Sequence, residues 1–112
     1  MSDTPNSQDT QQRIGELVKN NPIMLFMKGT ASFPQCGFSG RAVQILKACG
    51  VDPKSIKTVN VLEDAEIRAG IKEYSSWPTI PQLYLKGEFI GGSDIMMEMY
   101  EKGELQAEIA KL

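Results

Sequence analysis

The chain of 112 residues is long enough to bury one compact core and too short for two. With 12 basic against 14 acidic residues, its net charge of −2 gives no footing for a polyanion and argues against nucleic acid as a partner. Its 2 cysteines and 0 histidines exclude Ser-His and Cys-His catalytic pairs and any four-thiolate metal site within one chain.

Residues 1–9 are polar and carry no basic side chain, which predicts a disordered tail without secretory or transit signal; residues 10–112 then form one domain. Asp9 or Thr10 can cap a helix to about Asn20 with Ile14, Leu17 and Val18 on one face, and Asn21-Pro22 ends it. Ile23 to Met27 is an unbroken apolar run closed by Lys28-Gly29, the mark of a buried strand. No apolar run is longer, so none approaches the roughly 20 residues that span a bilayer. A loop holding Pro34 delivers the chain to Cys36. From Gly37 the spacing of Ala42, Val43, Ile45, Leu46 and Cys49 predicts a helix ending at Gly50. A β-like stretch covers Ile56 to Val61, and Glu63-Asp64 opens a third helix through Ile67, Ile71 and Tyr74. Gln82 to Leu85 and Glu88 to Ile90 flank Lys86-Gly87 as a hairpin, and Gly91-Gly92 leads into a helix from Ser93 to Lys102. Gly103 separates it from a last helical turn or two. With no export signal, both cysteines are expected as reduced thiols in the cytoplasm.

Strand–helix–strand units pair in parallel, and the two hairpin strands pair antiparallel. The order therefore predicts an α/β domain, a four-stranded mixed sheet with helices on both faces. It resembles the thioredoxin-like order, which by itself assigns no chemistry.

Cys36 stands where strand and loop feed a helix, whose unpaired N–H groups stabilise an anion. An ordinary thiol has a pKa of about 8.5, and a helix start with nearby cations brings it to about 3.5–7.5. Lys28 is the nearest expected cation. The plainer alternative makes Cys36 a small residue at a helix start. Ser39, three residues on, cannot resolve a mixed disulfide. Cys49 lies thirteen residues along one helix, roughly 20 Å away, where a disulfide needs Cα atoms within about 7 Å. Cys36 is expected to act alone, and Cys49 to pack.

Lys28-Gly29, Cys36-Gly37-Phe38-Ser39, Trp77-Pro78-Thr79-Ile80-Pro81-Gln82-Leu83-Tyr84 and Gly91-Gly92-Ser93-Asp94 together resemble the signatures of CGFS-type monothiol glutaredoxins of the stand-alone, bacterial kind, over about residues 10–110. Ser93, where many relatives have cysteine, and the long Val51–Ser55 segment are departures. The resemblance implies a glutathione site. Lys28 and Arg68 would take the glycine-end carboxylate, with Lys72 as a helper, although Asp64 at i−4 offers Arg68 an ordinary partner. Thr79, Ile80 and Pro81 would form a cis-proline loop whose Ile80 backbone pairs with the cysteinyl part; an ordinary trans proline is the alternative. Gly92, Ser93 and Asp94 would receive the γ-glutamyl carboxylate and ammonium at a helix start, or simply cap that helix. Trp77 and Phe38 read as packing residues, and Met96, Met97 and Met99 as core.

The resemblance implies a carrier of a [2Fe–2S] cluster. Such a cluster takes four thiolates, which two Cys36 and two glutathiones supply in a homodimer formed with the cluster. Transfer to acceptor apoproteins and pairing with BolA-type proteins follow from the same resemblance. The competing reading is a glutathione-dependent monothiol oxidoreductase that removes glutathione from protein mixed disulfides.

Overall fold

A computed structural model describes residues 7–112, with side chains from Asp9 onward. Of the tail expected over residues 1–9, residues 1–6 lie outside the described residues, and the first helix, α1 (Ser7–Asn20), takes in 7–9. The remaining elements are β1 (Ile23–Met27), α2 (Gly37–Ala48), β2 (Lys57–Asn60), α3 (Ala65–Ser75), β3 (Gln82–Leu85), β4 (Glu88–Gly91), α4 (Ser93–Glu101) and α5 (Glu104–Ala110). A 3-10 turn over Pro53–Ser55, which the periodicity did not predict, is capped by the Asp52 carboxylate accepting from the Lys54 N–H at 2.9 Å.

The sheet runs β2-β1-β3-β4. β1 pairs parallel with β2 and antiparallel with β3, and β3 pairs antiparallel with β4. That is the mixed thioredoxin-like sheet the element order predicted. The tight turn at Lys86-Gly87 has positive φ at both residues, 50° and 82°, which suits the twist of a two-residue hairpin.

Alternation along β1 divides the core in two. Ile23, Leu25 and Met27 join Leu83 and Leu85 of β3 against α2, α4 and α5, where Val43, Leu46, Met96 and Leu105 are buried. Met24, Phe26 and Tyr84 face α1 and α3 through Ile14, Val18, Ile67 and Ile71. Each such side chain stabilises the fold by about 1.5–3 kcal/mol relative to exposure. β1 is thus buried on both faces, which explains its unbroken apolar run. Both β1 and β3 run out towards the chain segments that carry Lys28 and Pro81, and α2 begins beside them.

Candidate functional site

The loop after β1 is folded back on itself. The Gln35 N–H donates to the Lys28 carbonyl at 2.9 Å, and Gly29 bridges to Pro34. Gly29 has φ +90°, and a Cβ there would stand 2.5 Å from both the Gln35 nitrogen and the Phe33 carbonyl oxygen, so only glycine fits. Asn60 at the end of β2 pins the same loop by accepting from the Gly29 N–H at 2.9 Å. The loop delivers Cys36 as the N-cap of α2 in an extended conformation, with no side-chain cap bond.

The Cys36 thiol is held below its ordinary pKa, first by the Ser39 N–H. Partial burial opposes this; the Phe38 N–H, the Lys28 charge and the Ser39 hydroxyl reinforce it. The sequence reading gave Ser39 only a negative role, as a missing sulfur. In the fold it is fully buried, and its Oγ accepts from the Lys28 N–H at 3.0 Å while its hydroxyl serves the thiol. A small hydroxyl residue in the first turn of a helix was the available signal.

All ten residues expected at the site line one cleft of about 390 Å³, within the size range of small-ligand pockets. Among the described residues, Lys28, Arg68 and Lys72 have no carboxylate partner. Asp64 does not satisfy Arg68. It caps α3 by accepting from the Ile67 N–H at 3.1 Å and takes Arg13 of α1 at 3.0 Å. Arg68 and Lys72, one turn apart on α3, therefore present two uncompensated charges to the cleft.

Opposite chemistry lies at the start of α4. Gly92 is the N-cap without a side-chain cap bond, so Ser93 and Asp94 occupy the first helical turn and do not close it. Asp94 is exposed and lines the cleft, while Ser93 is buried. A Cβ on Gly92 would meet the Pro81 carbonyl oxygen at 3.2 Å, so the two backbones approach closely here. The Ile80–Pro81 bond is cis. Ile80 makes no backbone hydrogen bond outside regular elements among the described residues.

One expectation is corrected and one qualified. Phe38 is 56% exposed and lines the cleft instead of packing; Trp77, 41% exposed, lines it too while its ring packs against Phe89 at a centroid distance of 6.2 Å. Pro78 and Ile95 line it as well and were not singled out. Met96 is buried, and Met97 and Met99 pack on the core as expected. Cys49 is the C-cap of α2, partly buried, and burial pushes its thiol above the ordinary value. No group of three or more His, Cys, Asp or Glu residues that could hold a metal ion occurs among the described residues, and of the two partly buried thiols Cys36 lines the cleft and Cys49 does not.

The glutaredoxin family profile matches residues 23–90. The ycf64-like monothiol glutaredoxin of Synechocystis sp. is 60% identical over 98 residues, covering 88% of this chain and 89% of that protein. Mitochondrial monothiol glutaredoxin-5 of Lachancea kluyveri is 54% identical over 99 residues, covering 88% and 69%. The solution structure of reduced poplar apo GrxS14 matches with a TM-score of 0.76 at 50% identity, over 90% of each chain. A buckwheat glutaredoxin in complex with glutathione matches at 0.81 over 96% of each chain, and at 23% identity it shows the shared fold alone. Relatives thus include cyanobacterial, mitochondrial and chloroplastic proteins, and no helix among the described residues is long and apolar enough to cross a membrane. Identity of this extent to single-thiol proteins, over most of the chain and with the fold to match, shows that the chain belongs to the monothiol glutaredoxin family.

Proposed function

We propose that the chain binds glutathione in this cleft and, as a pair of copies, carries a [2Fe–2S] cluster as cargo for acceptor apoproteins. The observation that carries this reading is the placement of the Cys36 thiol in a cleft with three uncompensated cations and a lone Asp94 carboxylate. Glutathione with an ionised thiol has two carboxylates, one ammonium and one thiolate, and each finds a complement. Lys28 and Arg68 take the glycine-end carboxylate, with Lys72 adding charge. The first-turn N–H groups of α4 take the γ-glutamyl carboxylate and Asp94 its ammonium. The Ile80 backbone pairs with the cysteinyl part. The donor set fits the cargo: one thiolate from each copy and one from each bound glutathione give the four sulfurs required. Two of those four are held without covalent attachment to the protein, which suits release to an acceptor. A BolA-type protein in place of the second copy, and a reducing cytoplasm, belong to the same reading.

Anaerobic reconstitution with iron, sulfide and glutathione tests it through visible absorption and sizing. The expected product is a dimer whose absorption depends on glutathione and is absent in Cys36→Ser. A cluster formed without glutathione, or kept by Cys36→Ser, overturns the reading.

The lowered Cys36 thiol favours a second activity in the same cleft. The Cys36 thiolate attacks the glutathione sulfur of a mixed disulfide and releases the protein thiolate. A second glutathione thiolate then attacks the Cys36–glutathione disulfide, giving oxidised glutathione and restoring Cys36. Rapid turnover of a small mixed disulfide by the apo-protein would favour this activity over the carrier role.

A further inference from the structure

Gln82 opens β3, in a strand otherwise made of Leu83, Tyr84 and Leu85, and it is fully buried. It does not line the cleft, yet its side chain holds two residues that do. Its Nε2 donates to the Trp77 carbonyl and to the Thr79 carbonyl, each at 3.2 Å, and its Oε1 accepts from the Tyr84 hydroxyl at 3.2 Å. The two carbonyls can only accept, so the nitrogen end of the amide must face them. Both amide hydrogens and the amide oxygen are then used, which is the condition for burying such a group. An apolar side chain at this position would avoid the amide's own desolvation cost but would take the acceptor from the buried Tyr84 hydroxyl. What the amide adds is one fixed conformation for the strip from Trp77 to Pro81.

We propose that Gln82 is a positioning residue for glutathione, acting through the Thr79–Ile80 peptide, with Tyr84 holding the amide in place. In a planar trans peptide the C=O and the following N–H point in opposite directions. Tying the Thr79 carbonyl inward to Gln82 therefore turns the Ile80 N–H outward, towards the cleft that Ile80 lines. The tie at Trp77 works differently, because the next residue is Pro78 and has no N–H to aim; it fixes the aromatic wall instead. Tyr84 is itself immobilised, with ring centroids 5.7 Å from Phe26 and 5.3 Å from Phe89, and burial pushes its pKa up to about 12, so its hydroxyl stays a donor. The core thus presets a backbone donor at the ligand surface. The proposal rests on glutathione occupying this cleft.

The test measures glutathione binding by calorimetry on the reduced full-length apo-protein across a pH series, for wild type, Gln82→Glu and Tyr84→Phe, with the pH profile of Cys36 alkylation alongside. A carboxylate facing two carbonyls should release the strip, so Gln82→Glu is expected to bind about tenfold more weakly near neutral pH, the scale of one positioned hydrogen bond. Its deficit relative to wild type at the same pH should shrink in acid, where the introduced carboxyl is protonated and donates once. The Cys36 alkylation profile should not move. Tyr84→Phe keeps the ring packing and loses only the hydroxyl, so a few-fold loss is expected even if Gln82→Glu fails to fold. Equal binding by wild type and both variants at every pH overturns the proposal alone. A Cys36 profile that shifts in step with the affinity also overturns it, since the defect is then general. Wild type that does not bind glutathione removes the underlying reading and the proposal with it.

Discussion

The two ends of α2 carry the same residue type and treat it in opposite ways. Cys36 at the start meets the N–H groups of Ser39 and Phe38, the Ser39 hydroxyl and the Lys28 charge, and its thiol is held below the ordinary value despite partial burial. Cys49 at the end meets burial alone, and its thiol is pushed up. The peptide dipoles of one helix run the same way throughout, so its start favours a thiolate and its end a thiol. Of the two ends, only the first opens on the cleft that Lys28, Arg68 and Lys72 also line. Position on the helix, more than the residue type, decides which sulfur does chemistry.

The sharpest way to break this contrast is to delete each sulfur in turn. Cys36→Ser should abolish glutathione-dependent cluster assembly and all rapid thiol reactivity, whereas Cys49→Ser should leave both within experimental error of wild type. Absorption after reconstitution and a thiol-alkylation time course check the pair. A Cys49→Ser protein that also loses its cluster would mean that the far end of α2 is not inert.

Charge around the first end gives the next largest effect. Anionic iodoacetate should be favoured over neutral iodoacetamide at Cys36 and not at Cys49. Lys28→Gln combined with Arg68→Gln should reduce that preference several-fold at low salt and by less at high salt, because exposed charges are screened. Glutathione affinity should fall by about tenfold in the same double variant, the scale of a lost charge-assisted contact.

How far this contrast was legible in the sequence depends on where each contact partner sits along the chain. The thiol at a helix start, its cation Lys28 and the inert distance to Cys49 could all be read, because each lies within one strand–loop–helix unit. Eight of the ten expected site residues lie at or beside strand ends and helix starts that converge on one end of the sheet, and Arg68 and Lys72 reach the same cleft from the body of α3. What could not be read lies in side-chain geometry across the fold. Asp64 pairs with Arg13, 51 positions away, so its availability to Arg68 could not be judged from i−4 spacing. Phe38 and Trp77 are apolar residues that local pattern assigns to packing, and only the assembled sheet leaves them exposed beside the cleft. Gln82 is the converse case: a polar residue at a strand start whose burial the strand pattern left unstated, buried because Trp77, Thr79 and Tyr84 satisfy it together.

The pH dependence sharpens the contrast further. Alkylation of Cys36 should rise with pH through a midpoint below that of an ordinary thiol, and that of Cys49 through one above it. Stability follows with opposite signs. Cys36 binds its proton less tightly folded than unfolded, so its contribution is present above the unfolded pKa and is lost as pH falls through the folded value. Cys49 binds its proton more tightly folded, so its contribution is present below the unfolded pKa of about 8.5 and is lost as pH rises through the folded value. Ser39→Ala should move the Cys36 midpoint up, but only part of the way, because the Ser39 and Phe38 backbone donors and Lys28 remain. Cys49 should not respond.

The smallest effects concern the glycine that adjoins each cysteine. Gly37 follows Cys36 and Gly50 follows Cys49, and a Cβ on either meets nothing within 4 Å, so neither site is crowded. They differ in backbone. Gly50 has φ +86°, the left-handed conformation in which α2 ends, while Gly37 lies in the helix itself. Gly50→Ala should therefore cost about 1–2 kcal/mol through backbone strain alone. Gly37→Ala should be neutral or raise stability by up to about 1 kcal/mol, because alanine narrows the unfolded ensemble without strain. Denaturant unfolding of the two variants measures the difference. A Gly37→Ala protein as destabilised as Gly50→Ala would show that the start of α2 is held in a stricter geometry than an N-cap without a side-chain bond requires.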